Sequence, residues 1–262
     1  MLDFGYYNMD CMAGMREFPD QYFDLAIVDP PYGVGSITYM PHKRTKAVGG
    51  YLDEYNILVA TLDVAQRANV KSRLLTQVEH NGLAKGAIKG FGDENVSPGP
   101  EYFKELFRVS KNQIIWGGNY YILPPSRSFV VWRKTTVAES FSMAMCEMAW
   151  TSFNDNAKWV ELPAQSASNN ETRIHPTQKP VKLYSWLLGL YAKPGDKILD
   201  THVGSGSSLI AFHRGGFPFV GFEIDEAYYK ASRERLENEK AQVNMFEVSK
   251  QETPDMFTGE MR

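Results

Sequence analysis

Residues 197 to 223 constrain the fold more than any other stretch of the chain. Lys197-Ile198-Leu199-Asp200 is an apolar run that reads as a buried strand. Thr201-His202-Val203-Gly204-Ser205-Gly206 is a glycine-rich turn, and Ser207 to His213 is a helix that Gly215-Gly216 stops. Phe219-Val220-Gly221-Phe222-Glu223 is a second strand, ending in an acid. Glu223 stands nineteen residues beyond Gly204, about the spacing at which the acid of a Rossmann unit reaches a ribose hydroxyl. Two glycines alone carry little weight. Strand, glycine turn, helix, strand and terminal acid in this order point to an adenosine-type cofactor.

A second feature lies near the amino end. Asp29-Pro30-Pro31-Tyr32 follows Leu25-Ala26-Ile27-Val28, a run suited to a buried parallel strand. Proline cannot donate to a sheet ladder, so the two prolines end the strand. Open α/β sheets bind ligands at the carboxyl ends of their strands. The tetrapeptide offers a carboxylate, a stiff backbone carbonyl and an aromatic face, which together suit a flat heterocycle held by its exocyclic amine. By itself such a segment is as readily an ordinary proline turn; its pairing with the glycine-turn unit gives it functional weight.

The 262 residues suffice for one α/β domain with insertions. No apolar run approaches the length of a membrane span, and Met1-Leu2-Asp3-Phe4 lacks the basic start of a secretory signal. Cys11 and Cys146 are too few for a disulfide framework and show no zinc spacing, so no metal is expected and a reducing cytoplasm fits. The net charge of −3 does not advertise a nucleic-acid binder. Residues 41–90 are nevertheless locally basic and 221–262 locally acidic. A basic face on an acidic protein can hold a phosphate backbone, although a solvated surface explains the charge equally well.

Strands are expected near residues 4–9, up to Asp29, at Gln113–Trp116, Phe129–Trp132 and Met145–Trp150, and helices over 11–18, 101–109, 180–190 and 226–240. Residues 33–100 interrupt this pattern with loop, a helical stretch over about 55–79, and more loop. So long an interruption beside a candidate site is more than a connector. It is expected to touch substrate or a partner, with His42, Lys43, Arg44 and Lys46 as candidate contacts to a phosphate backbone. Residues 154–174 read as polar loop, and 246–262 as a flexible tail.

With both motifs in hand the chain resembles the β-class of amino-directed DNA methyltransferases that use S-adenosylmethionine, in which the catalytic tetrapeptide precedes the cofactor loop. Asn8-Met9-Asp10, Phe107-Arg108-Val109, Ile114-Ile115-Trp116-Gly117-Gly118-Asn119, residues 146–153 and His175-Pro176-Thr177-Gln178-Lys179-Pro180 carry the resemblance in order. The glycine loop departs from it, reading Asp200-Thr201-His202 where the family usually has Asp-Pro-Phe. The resemblance implies a circularly permuted Rossmann-like sheet, mostly parallel with an antiparallel edge strand, and helices on both faces. Residues 1–32 and 101–245 would form the catalytic domain, 33–100 an inserted region, and 154–174 a short recognition loop.

The same resemblance implies catalytic roles for Asp29, Pro30, Pro31 and Tyr32. Cofactor contacts would come from Asp10, Thr177, Lys179, Asp200, Gly204, Ser205, Gly206 and Glu223, with Lys179 near the methionine carboxylate and Asp10 near the adenine amine. The implied substrate is adenine N6 in double-stranded DNA. Asp at position 29 favours adenine because cytosine members of the family often have Ser there. Cytosine N4 is the nearest alternative, and a non-catalytic DNA-binding relative a more distant one. Relatives often pair, so a homodimer is a further expectation.

Overall fold

The computed structural model describes residues 1–32, 97–137, 144–164, 174–175 and 177–251. His42, Lys43, Arg44, Lys46 and the helical stretch expected over 55–79 lie outside the described residues.

Eight strands form one sheet. In chain order they are β1 (Gly5–Asn8), β2 (Phe23–Val28), β3 (Ser110–Trp116), β4 (Phe129–Lys134), β5 (Cys146–Thr151), β6 (Lys158–Leu162), β7 (Ile198–Asp200) and β8 (Phe219–Glu223). Their order across the sheet is β1-β8-β7-β2-β3-β5-β4-β6. β1, β8, β7, β2 and β3 are joined by parallel ladders. β5 runs antiparallel to both its neighbours, β3 and β4, and β6 pairs parallel with β4.

Two expectations change here. The antiparallel strand was placed at an edge, but β5 is interior, with a ladder on each side. The reason is β6, which occupies part of the segment read as loop over 154–174. β6 carries on past β4 and takes the edge. Its residues alternate between half-buried and exposed, with Trp159 65% exposed, so no continuous apolar run announced it.

The helices are α1 (Cys11–Arg16), α2 (Pro100–Val109), α3 (Val181–Tyr191), α4 (Ser207–Arg214) and α5 (Glu226–Gln251), with a 3₁₀ turn at Gly118–Tyr120. α5 outruns the helix expected to stop near Lys240 and takes in the first residues of the segment read as a tail. Alternation along the strands divides the core in two. Leu25, Ile27, Ile114, Trp116 and Ile198 meet α3, α4 and Leu236 of α5 on one face. Ala26, Val28, Ile115, Leu199, Val220 and Phe222 meet α1 and α2 on the other. Helices therefore cover both faces, as a largely parallel sheet requires.

Charged groups lock the ends of these elements. Arg108 at the end of α2 bonds Glu105, Asp20 and the carbonyls of Met15 and Phe18, satisfying groups at and just past the carboxyl end of α1. Asp24 near the start of β2 accepts from Lys111 and from the backbone N–H of Lys197, tying β2 to the strands on either side.

Candidate active site

Because β1, β8, β7, β2 and β3 are parallel, their carboxyl ends share one edge of the sheet. Asp10 follows β1, Glu223 ends β8, Asp200 ends β7, Asp29 follows β2 and Gly117 follows β3. Insertion of β7 and β8 between β1 and β2 is what gathers residues from both ends of the chain. Antiparallel β5 presents its amino end, with Glu147, to the same edge, and β4 brings Lys134 beside it.

The tetrapeptide is held from several directions. The Tyr32 hydroxyl donates to Asp29 Oδ1 at 2.7 Å, and the buried Lys179 ammonium pairs with Asp29 Oδ2. The Tyr121 hydroxyl donates to the Pro30 carbonyl at 2.7 Å. The Tyr120 ring stacks on Tyr32 with centroids 5.0 Å apart and planes at 20°. Gly117, at φ +68°, lies so close to Tyr32 that an added Cβ would come within 2.2 Å of the ring. A side chain there would be strained and would expel the tyrosine. Burial first, then the charges of Asp29 and Glu147, hold the Tyr32 phenol well above its usual range, so it acts as a neutral donor.

Lys179 contacts two carboxylates. Its Nζ lies 3.1 Å from Glu147 Oε2 as well as against Asp29, and Glu147 Oε1 pairs with Lys134 at 2.5 Å. Burial works to raise Glu147 and is overcome by Lys179 and Lys134, which hold it at about 2. Burial likewise works to discharge Lys179, but Asp29 and Glu147 outweigh it and keep the ammonium. Lys179, expected near a cofactor carboxylate, stands in this structure beside Asp29 and Glu147.

On the other side, Gly204 donates its backbone N–H to Glu223 Oε2 at 2.8 Å, and Asp225 donates to Oε1 at 3.0 Å. Each Glu223 oxygen keeps a lone pair beyond these bonds, the capacity a ribose diol needs. Gly204 has φ +54°, and an added Cβ would meet nothing nearer than His175 at 3.7 Å, so its backbone is approachable. Gly206, at φ +77°, precedes α4 and packs on Ser232 of α5. This cradle and donor set fit a nucleoside.

Asp200 serves the turn from beneath. It is 2% exposed and accepts from the His202 N–H at 3.0 Å and the Ser208 hydroxyl at 2.5 Å. Burial lifts it to about 7, against the pull of those two bonds. Ser205 is also buried, bonding Ser207 through its hydroxyl and Arg235 through its carbonyl. Asp10 is exposed and caps α1 through the Ala13 N–H. Thr177 is exposed and contacts His175 Nδ1. His175 packs edge-on against Tyr228 beside Gly204. The segment from His175 to Lys179 therefore reaches the glycine turn at one end and Asp29 at the other.

Sequence reasoning gave no site role to Lys134, Tyr120 or Tyr121, and took in Glu147 only as part of the matched stretch 146–153. Their neighbours are distant in the chain, and no spacing could reveal the contacts. Among the described residues, no group of three or more His, Cys, Asp or Glu side chains is arranged to hold a metal, and no helix is long and apolar enough to cross a membrane.

Comparison with known proteins shows which family and fold the chain is similar to. The family model described as DNA methylase, for N6 and N4 methyltransferases, matches residues 23–234. A putative methylase of Escherichia coli K12, YubD, is 38% identical over 227 residues, 87% of each chain. The type II methyltransferase M2.DpnII of Streptococcus pneumoniae is 43% identical over 65 residues, 25% of this chain and 24% of its own. The PvuII DNA methyltransferase, cytosine-N4-specific, has a similar fold, with a TM-score of 0.53, 11% identity and 93% of each chain covered.

Proposed function

The chain belongs to the DNA methylase family of the N6 and N4 type, and from that premise we propose that it methylates the N6 amine of adenine in double-stranded DNA, using S-adenosylmethionine and acting on a base turned out of the helix. The observation that carries this reading is the Asp29 carboxylate with the Pro30 carbonyl and Tyr32 ring beside it, on the same sheet edge as the Gly204–Glu223 turn.

An exocyclic amine is a poor nucleophile because its lone pair is delocalised into the ring. When bound, the cofactor supplies a methyl group already activated on a sulfonium. The protein has to hold the amine in line and localise its lone pair. Asp29 Oδ1 and the Pro30 carbonyl are two acceptors for the two N–H bonds of that amine. Both accept from tyrosines in this structure, Asp29 from Tyr32 and Pro30 from Tyr121. A carboxylate or carbonyl oxygen has two lone pairs, so an arriving amine can share or displace these phenols. The Tyr32 face now covered by Tyr120 is the surface on which the base stacks once Tyr120 moves aside.

Glu223 would hold the ribose hydroxyls, and the Gly204 turn would lie against the ribose and methionine portions of the cofactor. Asp10 lies at the adenine end and Thr177 at the methionine end. Asp200 and Ser205 keep the turn in shape from its buried side. The inserted region 33–100 would serve target recognition or contact with a second copy, and the 154–174 segment, which contains β6, target recognition.

Labelled methyl transfer to mixed DNA, followed by nucleoside analysis, tests this. The expected product is N6-methyladenine; N4-methylcytosine would instead establish the alternative base. Asp29→Ala should lose on the order of 10²–10³ in rate or more, while binding S-adenosylhomocysteine as the wild type does. Near-normal transfer by that variant would refute the role given to Asp29. A non-catalytic relative would bind DNA and transfer nothing.

A further inference from the structure

Lys179, Glu147 and Lys134 form an alternating chain of charge that ends on Asp29, and the proposed reaction has so far used only its last member. Lys179 is 3% exposed and Lys134 8% exposed, so this is not a surface cluster. The links come from separate elements: Lys134 closes β4, Glu147 lies in antiparallel β5, Lys179 precedes α3 and Asp29 follows β2. Lysine is a flexible point charge on a four-carbon stem, and a single partner fixes it poorly. Here Nζ lies between two carboxylates, with the Tyr32 hydroxyl at 3.3 Å and the Trp116 ring centroid at 5.2 Å.

We infer that Lys179 positions the catalytic carboxylate, and that Glu147, itself anchored by Lys134, is the positioning residue that aims Lys179. The inference rests on the reading of Asp29 as the amine acceptor. Lys179 occupies Oδ2 and leaves Oδ1 as the oxygen offered towards the base. Glu147 keeps the lysine from swinging into the cofactor cradle or following the carboxylate when the base enters. Lys134 fixes Glu147 at its far oxygen, so the chain has no loose end. A buried charge left without its partner is strongly disfavoured, which keeps the arrangement intact while Tyr32 and Tyr120 move.

This assignment competes with one in which Lys179 binds the cofactor carboxylate, and the two separate experimentally. The double variant Glu147→Gln with Lys134→Met removes the anchoring pair as a unit and leaves Lys179 and Asp29 to balance each other. Single-turnover methyl transfer at saturating DNA and cofactor should fall about 10–100-fold, the scale of a misplaced reacting group. Binding of S-adenosylhomocysteine, measured by calorimetry, should stay close to the wild-type value. Lys179→Met should behave in the same way.

Undiminished transfer by the folded double variant would overturn the inference. So would a Lys179→Met protein that binds S-adenosylhomocysteine much more weakly yet transfers at the wild-type rate once saturated. If the double variant does not fold, Lys179→Met decides by the same two measurements. A wild-type protein that transfers no methyl to DNA refutes the functional reading itself; an active wild type with an unaffected variant refutes only the positioning role.

Discussion

Asp200 makes the glycine turn sensitive to pH, because burial raises its carboxyl against the pull of the hydrogen bonds from Ser208 and His202. Its folded-state value of about 7 lies above the unfolded value of about 4. The stability it contributes is therefore full below about pH 4 and is lost as the pH rises towards 7. His202 works in the opposite sense. Burial lowers it to about 4, so its contribution is full above about pH 6.5 and is lost as the pH falls. Between these limits the two neighbours offset each other. Asp200→Asn keeps an acceptor for the His202 N–H and removes the carboxyl titration, with its amide nitrogen donating to the Ser208 hydroxyl where Asp200 accepts. Its stability should fall progressively behind the wild type as pH drops from 7 to 5, by at most about 1.4 kcal/mol per pH unit, read as a widening gap in melting temperature. A gap that stays constant over that range would contradict the buried, proton-binding state of Asp200.

At the scale of elements, α1 shows how one residue can serve both fold and site. It is six residues long, too short to hold itself together, and depends on Asp10 at one end and Arg108 near the other. Asp10→Ala should cost about 1 kcal/mol from loss of the cap. Asp10→Asn should restore that stability in thermal melts. If Asp10 also meets the cofactor adenine, neither variant will recover full affinity for S-adenosylhomocysteine, since Asn offers only one acceptor oxygen. Full affinity in Asp10→Asn would reduce Asp10 to a capping residue. The strand β5 is the other element with a double task. Its Ala149 sits between Trp116 and Val130 in the sheet, while Glu147 reaches the catalytic edge.

At the scale of the molecule, the site is a property of strand order. Its two halves are joined covalently only through long stretches of chain, and spatially by the segment from His175 to Lys179. A ligand in the Gly204–Glu223 cradle binds only the folded state and should stabilise the whole domain. S-adenosylhomocysteine at one hundred times its dissociation constant should add about 2.7 kcal/mol, which for a chain of this size is several degrees in melting temperature. No shift at saturating ligand would place the cofactor elsewhere.

The amino-acid sequence by itself determined what depends on near neighbours in the chain. The apolar runs of β2, β7 and β8 fixed buried parallel strands, the prolines after Asp29 ended β2, and Gly204 and Gly206 supplied the left-handed turn that leads into α4. Asp29 and Glu223 were legible for the same reason: each stands at a strand end that local pattern marks. Only the tertiary structure decided which strand lies beside which, that β6 closes the sheet and leaves β5 interior, and that Lys179 pairs with Asp29. A buried ammonium takes the carboxylates that register and packing bring within reach, and those come from residues 29 and 147, far from position 179 in sequence.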